Sequence, residues 1–140
     1  VREILFTAAD NANHPYRAYP GDAGFDLSCL NAGVVAAGAL VDLPTGLAVQ
    51  LPDDTWALVM GRSSAAGKGF LVIQSVIDQG YRGPLYVRVW NFTQNPITVL
   101  EGERLGQLIP LPLTAVDIVA RRVDQLETSE RNTNGFGSSG

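Results

Sequence analysis

Fifteen glycines and eight prolines, spread along 140 residues, set the terms on which this chain can fold. They interrupt it so often that no stretch keeps a 3.6-residue apolar period long enough for a substantial helix. The apolar pieces between them are short, and they alternate or run β-branched. Strands are predicted over residues 3–7, 46–51, 55–60, 70–73, 85–90, 97–100, 105–113 and 115–119. Turn residues separate them at intervals of about 8–12, the rhythm of an all-β sandwich or barrel. Ser63-Ser64-Ala65-Ala66-Gly67 has room for one short helical turn with serine at its start. Hydrophobic residues, 46% of the chain, suffice for one core. The 17% that are charged fall below what a disordered chain usually carries.

The predicted body runs over residues 1–126, and residues 127–140 differ from it. Phe136 is the only large apolar residue of that tail, which ends Gly135-Phe136-Gly137-Ser138-Ser139-Gly140. Such a segment cannot pack a core of its own. Either it frays, or a ligand or a neighbouring chain holds it.

Charge and rare residues exclude several functions. The net charge of −4 argues against a general nucleic-acid binder, which would show a basic stripe. Residues 1–60 carry two bases against seven acids, and residues 61–140 eight bases against seven acids. An anion site is therefore expected to draw on the second half. Cys29 and His14 are the only residues of their kinds. No intrachain disulfide is possible, and no structural zinc site or zinc-deaminase centre. Cys29 reads as a small buried hydrophobe. A Ser-His-Asp triad would need His14, which lies in a loop-like stretch. No apolar run approaches a membrane span, and no signal-peptide pattern opens the chain. The expectation is a soluble, cytoplasmic protein without membrane partners.

Four segments carry chemistry. Gly61-Arg62-Ser63-Ser64 follows a strand and offers a guanidinium, two hydroxyls and backbone N–H groups, suited to a phosphate or to an ordinary strand-to-helix turn. In Ser75-Val76-Ile77-Asp78-Gln79-Gly80-Tyr81, Asp78 is either a turn-capping residue or a general base, with Tyr81 as a flat wall for a ring. In Arg104-Leu105-Gly106-Gln107-Leu108-Ile109, strict alternation puts Gln107 on one face with Leu105 and Ile109, where its amide needs a partner. Arg131 with Phe136 supplies a cation and an aromatic plate for closing over an aromatic anion.

Together with Ala23-Gly24-Phe25-Asp26-Leu27, these segments resemble, in order, the five motifs of the trimeric dUTP diphosphatases (dUTPases). Leu43-Pro44-Thr45-Gly46-Leu47 resembles a further segment of that family. The resemblance implies a jelly-roll-like β fold assembled as a C3 homotrimer. Its active sites would lie between subunits, each closed by a neighbour's C-terminal arm. It implies hydrolysis of dUTP to dUMP and pyrophosphate with Mg²⁺ on the triphosphate, which keeps uracil out of DNA and supplies dUMP for thymidylate synthesis. Asp78 would orient and deprotonate the attacking water and touch the sugar 3′-hydroxyl, and Tyr81 would underlie the deoxyribose. Arg62, Ser63, Ser64 and Gln107 would bind phosphates. Arg131, Ser138 and Ser139 would hold the γ-phosphate, and Phe136 would cover uracil. Asp26 would lie near the metal's water shell or act structurally. Arg82 and Arg104 would form structural ion pairs.

The stretch from Arg62 to Asp78 is short beside many members of that family. The base-reading hairpin is expected within it, acting largely through backbone groups, with Ile73, Gln74 and Ser75 as candidates. Base choice must rest on hydrogen-bond polarity, since uracil O4 accepts where cytosine N4 donates. Two rivals share the fold. The related dCTP deaminases carry a catalytic glutamate where this chain has Arg88, which cannot act as that base. A non-catalytic trimeric module that binds nucleotide or protein is the other.

Overall fold

A computed structural model describes residues 2–137. Ten strands and one short helix follow in the order β1 (Leu5–Ala8), β2 (Phe25–Ser28), β3 (Gly33–Val35), β4 (Leu40–Gln50), β5 (Thr55–Gly61), α1 (Ser63–Lys68), β6 (Phe70–Ile73), β7 (Ser75–Ile77), β8 (Pro84–Asn91), β9 (Ile97–Val99) and β10 (Arg104–Pro112). Two antiparallel four-stranded sheets, β1-β4-β8-β6 and β2-β10-β5-β7, are accompanied by the small pair β3-β9. Among the described residues no sheet closes into a barrel. The architecture is the expected all-β sandwich with one short helix.

The sheets face each other through alternate side chains. β8 shows this most plainly, with Leu85, Val87 and Val89 buried and Tyr86, Arg88 and Trp90 turned outward. Leu47, Val49 and Phe70 extend the inner face of that sheet, and Leu27, Ala57, Val59 and Leu108 oppose them. Each fully buried Val, Leu or Phe contributes about 1.5–3 kcal/mol. Cys29 joins this core as a free thiol. Burial first, and then the charge of Glu103, push its pKa up to about 11, so it stays protonated.

The segment Pro44–Ala48 breaks the β4–β8 register with a bulge. Gly46 has φ 74°, and a Cβ there would lie 2.9 Å from side-chain atoms of Ala12 and Leu30. Glycine is the residue that turns the chain here without strain. The buried Thr45 hydroxyl secures the bulge by donating to the Leu85 carbonyl at 2.8 Å.

Residues 115–119, predicted as a strand, form none. The chain leaves β10 at Pro112, and no strand among the described residues pairs with it beyond that point. Val116, Ile118 and Val119 are exposed. β-branched composition supplies propensity, but a strand also needs an edge to bond. The first predicted strand, 3–7, begins two residues late as β1, and β2, β3, β7 and the first half of β4 were not predicted.

Candidate functional site

The candidate residues fall into two clusters and an arm. The first cluster gathers where β2, β10 and β5 meet α1. Asp26 lies on β2 opposite Gln107 of β10, which in turn lies opposite Met60 of β5. β5 ends at Gly61, so Arg62 emerges beside both. Its Nε lies 3.1 Å from Asp26 Oδ1, and its Nη1 donates to the Arg104 carbonyl at 3.2 Å. Ser64 Oγ donates to that same carbonyl at 3.4 Å, and Ser63 is exposed beside it. The Arg104 guanidinium rests 4.6 Å above the Tyr16 ring, with Nη1 3.9 Å from Asp26 Oδ2. Two guanidiniums thus share one carboxylate, leaving an excess of positive charge beside hydroxyls, a combination suited to phosphate oxygens.

Gln107 departs from strict alternation. A bulge between Arg104 and Gly106 shifts the β10 register, so Leu105, Gly106 and Leu108 are buried while Gln107 is half-exposed. Leu105 and Gln107 therefore do not share a face. The amide finds its partner in the Gly61 carbonyl, to which Nε2 donates at 3.0 Å. A Cβ on Gly24 would lie 2.6 Å from Gln107 Oε1, so a side chain there would push the amide aside.

The second cluster surrounds a cleft of ≈ 210 Å³ between the end of β7 and the start of β8. Asp78 follows β7 directly, is exposed, and lines this cleft together with Ser75, Tyr81 and Tyr86. The turn that carries it is closed from two sides. The Tyr81 N–H donates to the Asp78 carbonyl at 3.0 Å, and Arg82 Nη1 donates to the carbonyls of Gln79 and Tyr81. Arg82 thus ties carbonyls rather than forming the expected ion pair. The Tyr81 hydroxyl donates to the Pro84 carbonyl at 2.9 Å, which lays its ring over Gly83 and holds it as a wall.

Of the three candidate base-reading residues, Ser75 lines the cleft, whereas Ile73 and Gln74 lie outside its lining. Asp42 and Arg88 line it as well; in sequence Arg88 stands out only as the residue where dCTP deaminases carry a glutamate, and Asp42 does not stand out. They face each other across β4 and β8 and form a bidentate ion pair, Nε–Oδ1 2.7 Å and Nη2–Oδ2 3.1 Å. Those hydrogen bonds hold the Asp42 carboxyl below its ordinary range and raise the Arg88 guanidinium above its own.

The clusters do not meet within one chain. Asp78 follows Ile77, the partner of Ala57, and so lies beside Trp56, and Arg62 is six residues further on, past the other end of β5. At about 3.3 Å per residue the two are roughly 20 Å apart along the strand. Among the described residues, no side-chain contact joins residues 127–134 to either cluster. Residues 114–134 are exposed throughout, Arg131 Nε donates to the Asn134 carbonyl, and the Phe136 ring is fully exposed. Ser138 and Ser139 lie outside the described residues.

No group of three or more His, Cys, Asp or Glu side chains capable of holding a metal occurs among the described residues. No helix there is long and apolar enough to cross a membrane.

The dUTPase family model matches residues 10–140. The chain is 42% identical over 131 residues to a deoxyuridine 5′-triphosphate nucleotidohydrolase of Gloeobacter violaceus, covering 90% of this chain and 88% of that one. It is similar to the solved structure of a Staphylococcus bacteriophage 80alpha dUTPase with dUpNHpp, at TM-score 0.89 and 25% identity, covering 100% of this chain and 99% of that one. It shares its fold with a dUTPase mutant from phage phi11 of S. aureus, described with a structural Mg(II) ion, at TM-score 0.74 and 22% identity, covering 90% and 97% of the two chains.

Proposed function

The chain belongs to the dUTPase family, and on that premise we propose how it hydrolyses dUTP to dUMP and pyrophosphate. Asp78 is the general base. Its exposed carboxylate at the rim of a cleft walled by the Tyr81 ring is the observation that carries this reading. It holds a water in line with the α-phosphorus and takes its proton as the water attacks. The Tyr81 ring underlies the deoxyribose. Arg62, Ser63, Ser64 and Gln107 neutralise and orient the phosphates, and a positioned guanidinium needs no reorganisation as charge shifts toward the leaving pyrophosphate. Arg131, Ser138 and Ser139 hold the γ-phosphate, and Phe136 covers the base.

Because Asp78 and Arg62 lie far apart in one chain, a complete site draws them from different copies. The exposure of residues 114–134 and of Phe136 supports the same view, since the body of its own chain does not cover them. The assembly proposed is therefore a homotrimer with shared sites and an exchanged arm.

dUTPases generally use Mg(II). The donor set here fits a cation carried on the nucleotide. Asp26 is one carboxylate already engaged by two guanidiniums, and Mg²⁺ typically keeps waters and binds through one or two carboxylates plus substrate phosphates. Asp26 would meet such an ion through its water shell, and the ion would supply charge neutralisation on the phosphates.

Pyrophosphate release from dUTP, set against dCTP, dTTP and UTP with Mg²⁺ present, tests this reading. Release from dUTP far above the others is expected. Binding of dUTP without release would favour the non-catalytic module, and ammonia release from dCTP would favour the deaminase.

A further inference from the structure

Resting on that reading, we propose that the Lys68–Glu103 ion pair positions the phosphate cluster, acting through α1 rather than on the nucleotide. α1 is six residues long and buries only Ala65, so neither its own hydrogen bonds nor apolar packing fixes its pose. Polar ties to consecutive residues of β10 and of the turn before it do so instead. At the first turn, the Arg62 and Ser64 side chains donate to the Arg104 carbonyl, and the Arg62 amide donates to the Leu105 carbonyl at 3.0 Å. At the last turn, Lys68 Nζ donates to both carboxylate oxygens of Glu103, at 2.6 and 2.5 Å.

Glu103 is held before Lys68 reaches it. Its carbonyl accepts from the Cys29 amide at 2.8 Å, which ties it to the end of β2. Its amide donates to the Leu100 carbonyl at 3.1 Å, and its carboxylate accepts from the Leu100 amide, which ties it to the end of β9. The next residue, Arg104, supplies the carbonyl that orients Arg62 and Ser64. A helix held at both ends against residues 103 and 104 presents that guanidinium and hydroxyl in one pose. Released at the Lys68 end, it pivots on the turn that carries them. Phosphoryl transfer rests on positioning, and a displacement of about 1 Å can cost about 10²-fold in rate. Direct binding of phosphate by Lys68 explains the pair less well. Its ammonium is already neutralised by both oxygens of Glu103, and it stands roughly 7 Å along α1 from Ser63.

The test measures kcat/KM for dUTP by pyrophosphate release, and inhibition by dUMP, for the parent, Lys68→Met, Glu103→Gln and Lys68→Arg. Thermal unfolding sets a temperature at which all four are folded. Lys68→Met and Glu103→Gln are each expected to lower kcat/KM by at least about tenfold. Inhibition by dUMP should stay within about threefold, because the Asp78 cleft that holds the nucleoside is untouched. Lys68→Arg keeps a cation against both carboxylate oxygens and should stay within about threefold of the parent in kcat/KM. Parental kcat/KM in Lys68→Met overturns the inference alone, as does a loss that only follows the unfolded fraction or is matched by an equal loss of dUMP inhibition. A higher kcat/KM in Glu103→Gln, which frees the lysine, assigns Lys68 to the phosphate itself and overturns it too. A parent inactive on dUTP overturns the hydrolase reading and this inference with it.

Discussion

Asp78 owes its position to two neighbours rather than to its own bonds. The turn is held by the Tyr81 amide on the Asp78 carbonyl and by Arg82 on two further carbonyls, so the carboxylate itself is left open to the cleft. Asparagine has the same shape and hydrogen-bonds water, but it cannot take a proton. Asp78→Asn is therefore expected to lower kcat on dUTP by about 10²–10⁴. Affinity for a non-hydrolysable dUTP analogue should stay within about threefold, measured by calorimetric titration. Turnover close to the parent's would remove Asp78 from the role. Both the residue and its turn were legible in sequence, because the chemistry and the geometry lie within six consecutive residues. Asp42 and Arg88 were not. They are 46 positions apart, and only the β4–β8 register brings them together.

At the scale of elements, local pattern served where a strand is long enough to alternate. β5 and β8 fall within about a residue of their predicted bounds, since their inward residues alternate with outward ones, and β6 keeps its bounds as an unbroken apolar run between Gly69 and Gln74. β2, β3 and β7 are three or four residues long and exist because longer neighbours supply their ladders, information that no short window holds. The β10 bulge is likewise a property of the pairing, and it moved Leu105 and Gln107 off a common face. The helix α1 shows how a short element is anchored from outside. Lys68, in its last turn, reaches Glu103 at 2.5–2.6 Å, and the Leu100 amide donates to the same carboxylate at 2.9 Å. Burial pushes the Glu103 carboxyl up, but these hydrogen bonds and the Lys68 charge outweigh it, leaving the pKa below 4.5. A carboxyl lowered in the folded state adds stability above its unfolded value and loses it as pH falls through the folded one. Glu103→Gln should thus cost about 1 kcal/mol at pH 7 in urea unfolding. The gap from the parent should narrow as pH drops below 4.5. A gap that widens in acid would contradict this account of the contact.

For the molecule as a whole, the separation of the two clusters is the decisive fact. β5 leads at one end into Arg62 and pairs near its other end with β7, which leads into Asp78, so one sandwich holds the two clusters apart. A neighbouring copy can bring its Arg62 cluster to the first copy's Asp78 cleft, and in a closed ring each chain both gives and receives. That geometry predicts complementation. Asp78→Asn spoils only the cleft half of any site, and Arg62→Gln only the phosphate half. Each variant alone should be nearly inactive. After the two are mixed in equal amounts and their subunits exchanged, roughly one site in four should combine an intact cleft from one variant with an intact phosphate cluster from the other. Pyrophosphate release should then rise to about a quarter of the parent's rate, following subunit exchange rather than mixing itself. If a single chain held a whole site, every site in the mixture would keep one defect and no activity would return, whatever the oligomeric state. The assay therefore separates shared sites from mere association, which measurement of molecular mass alone cannot do.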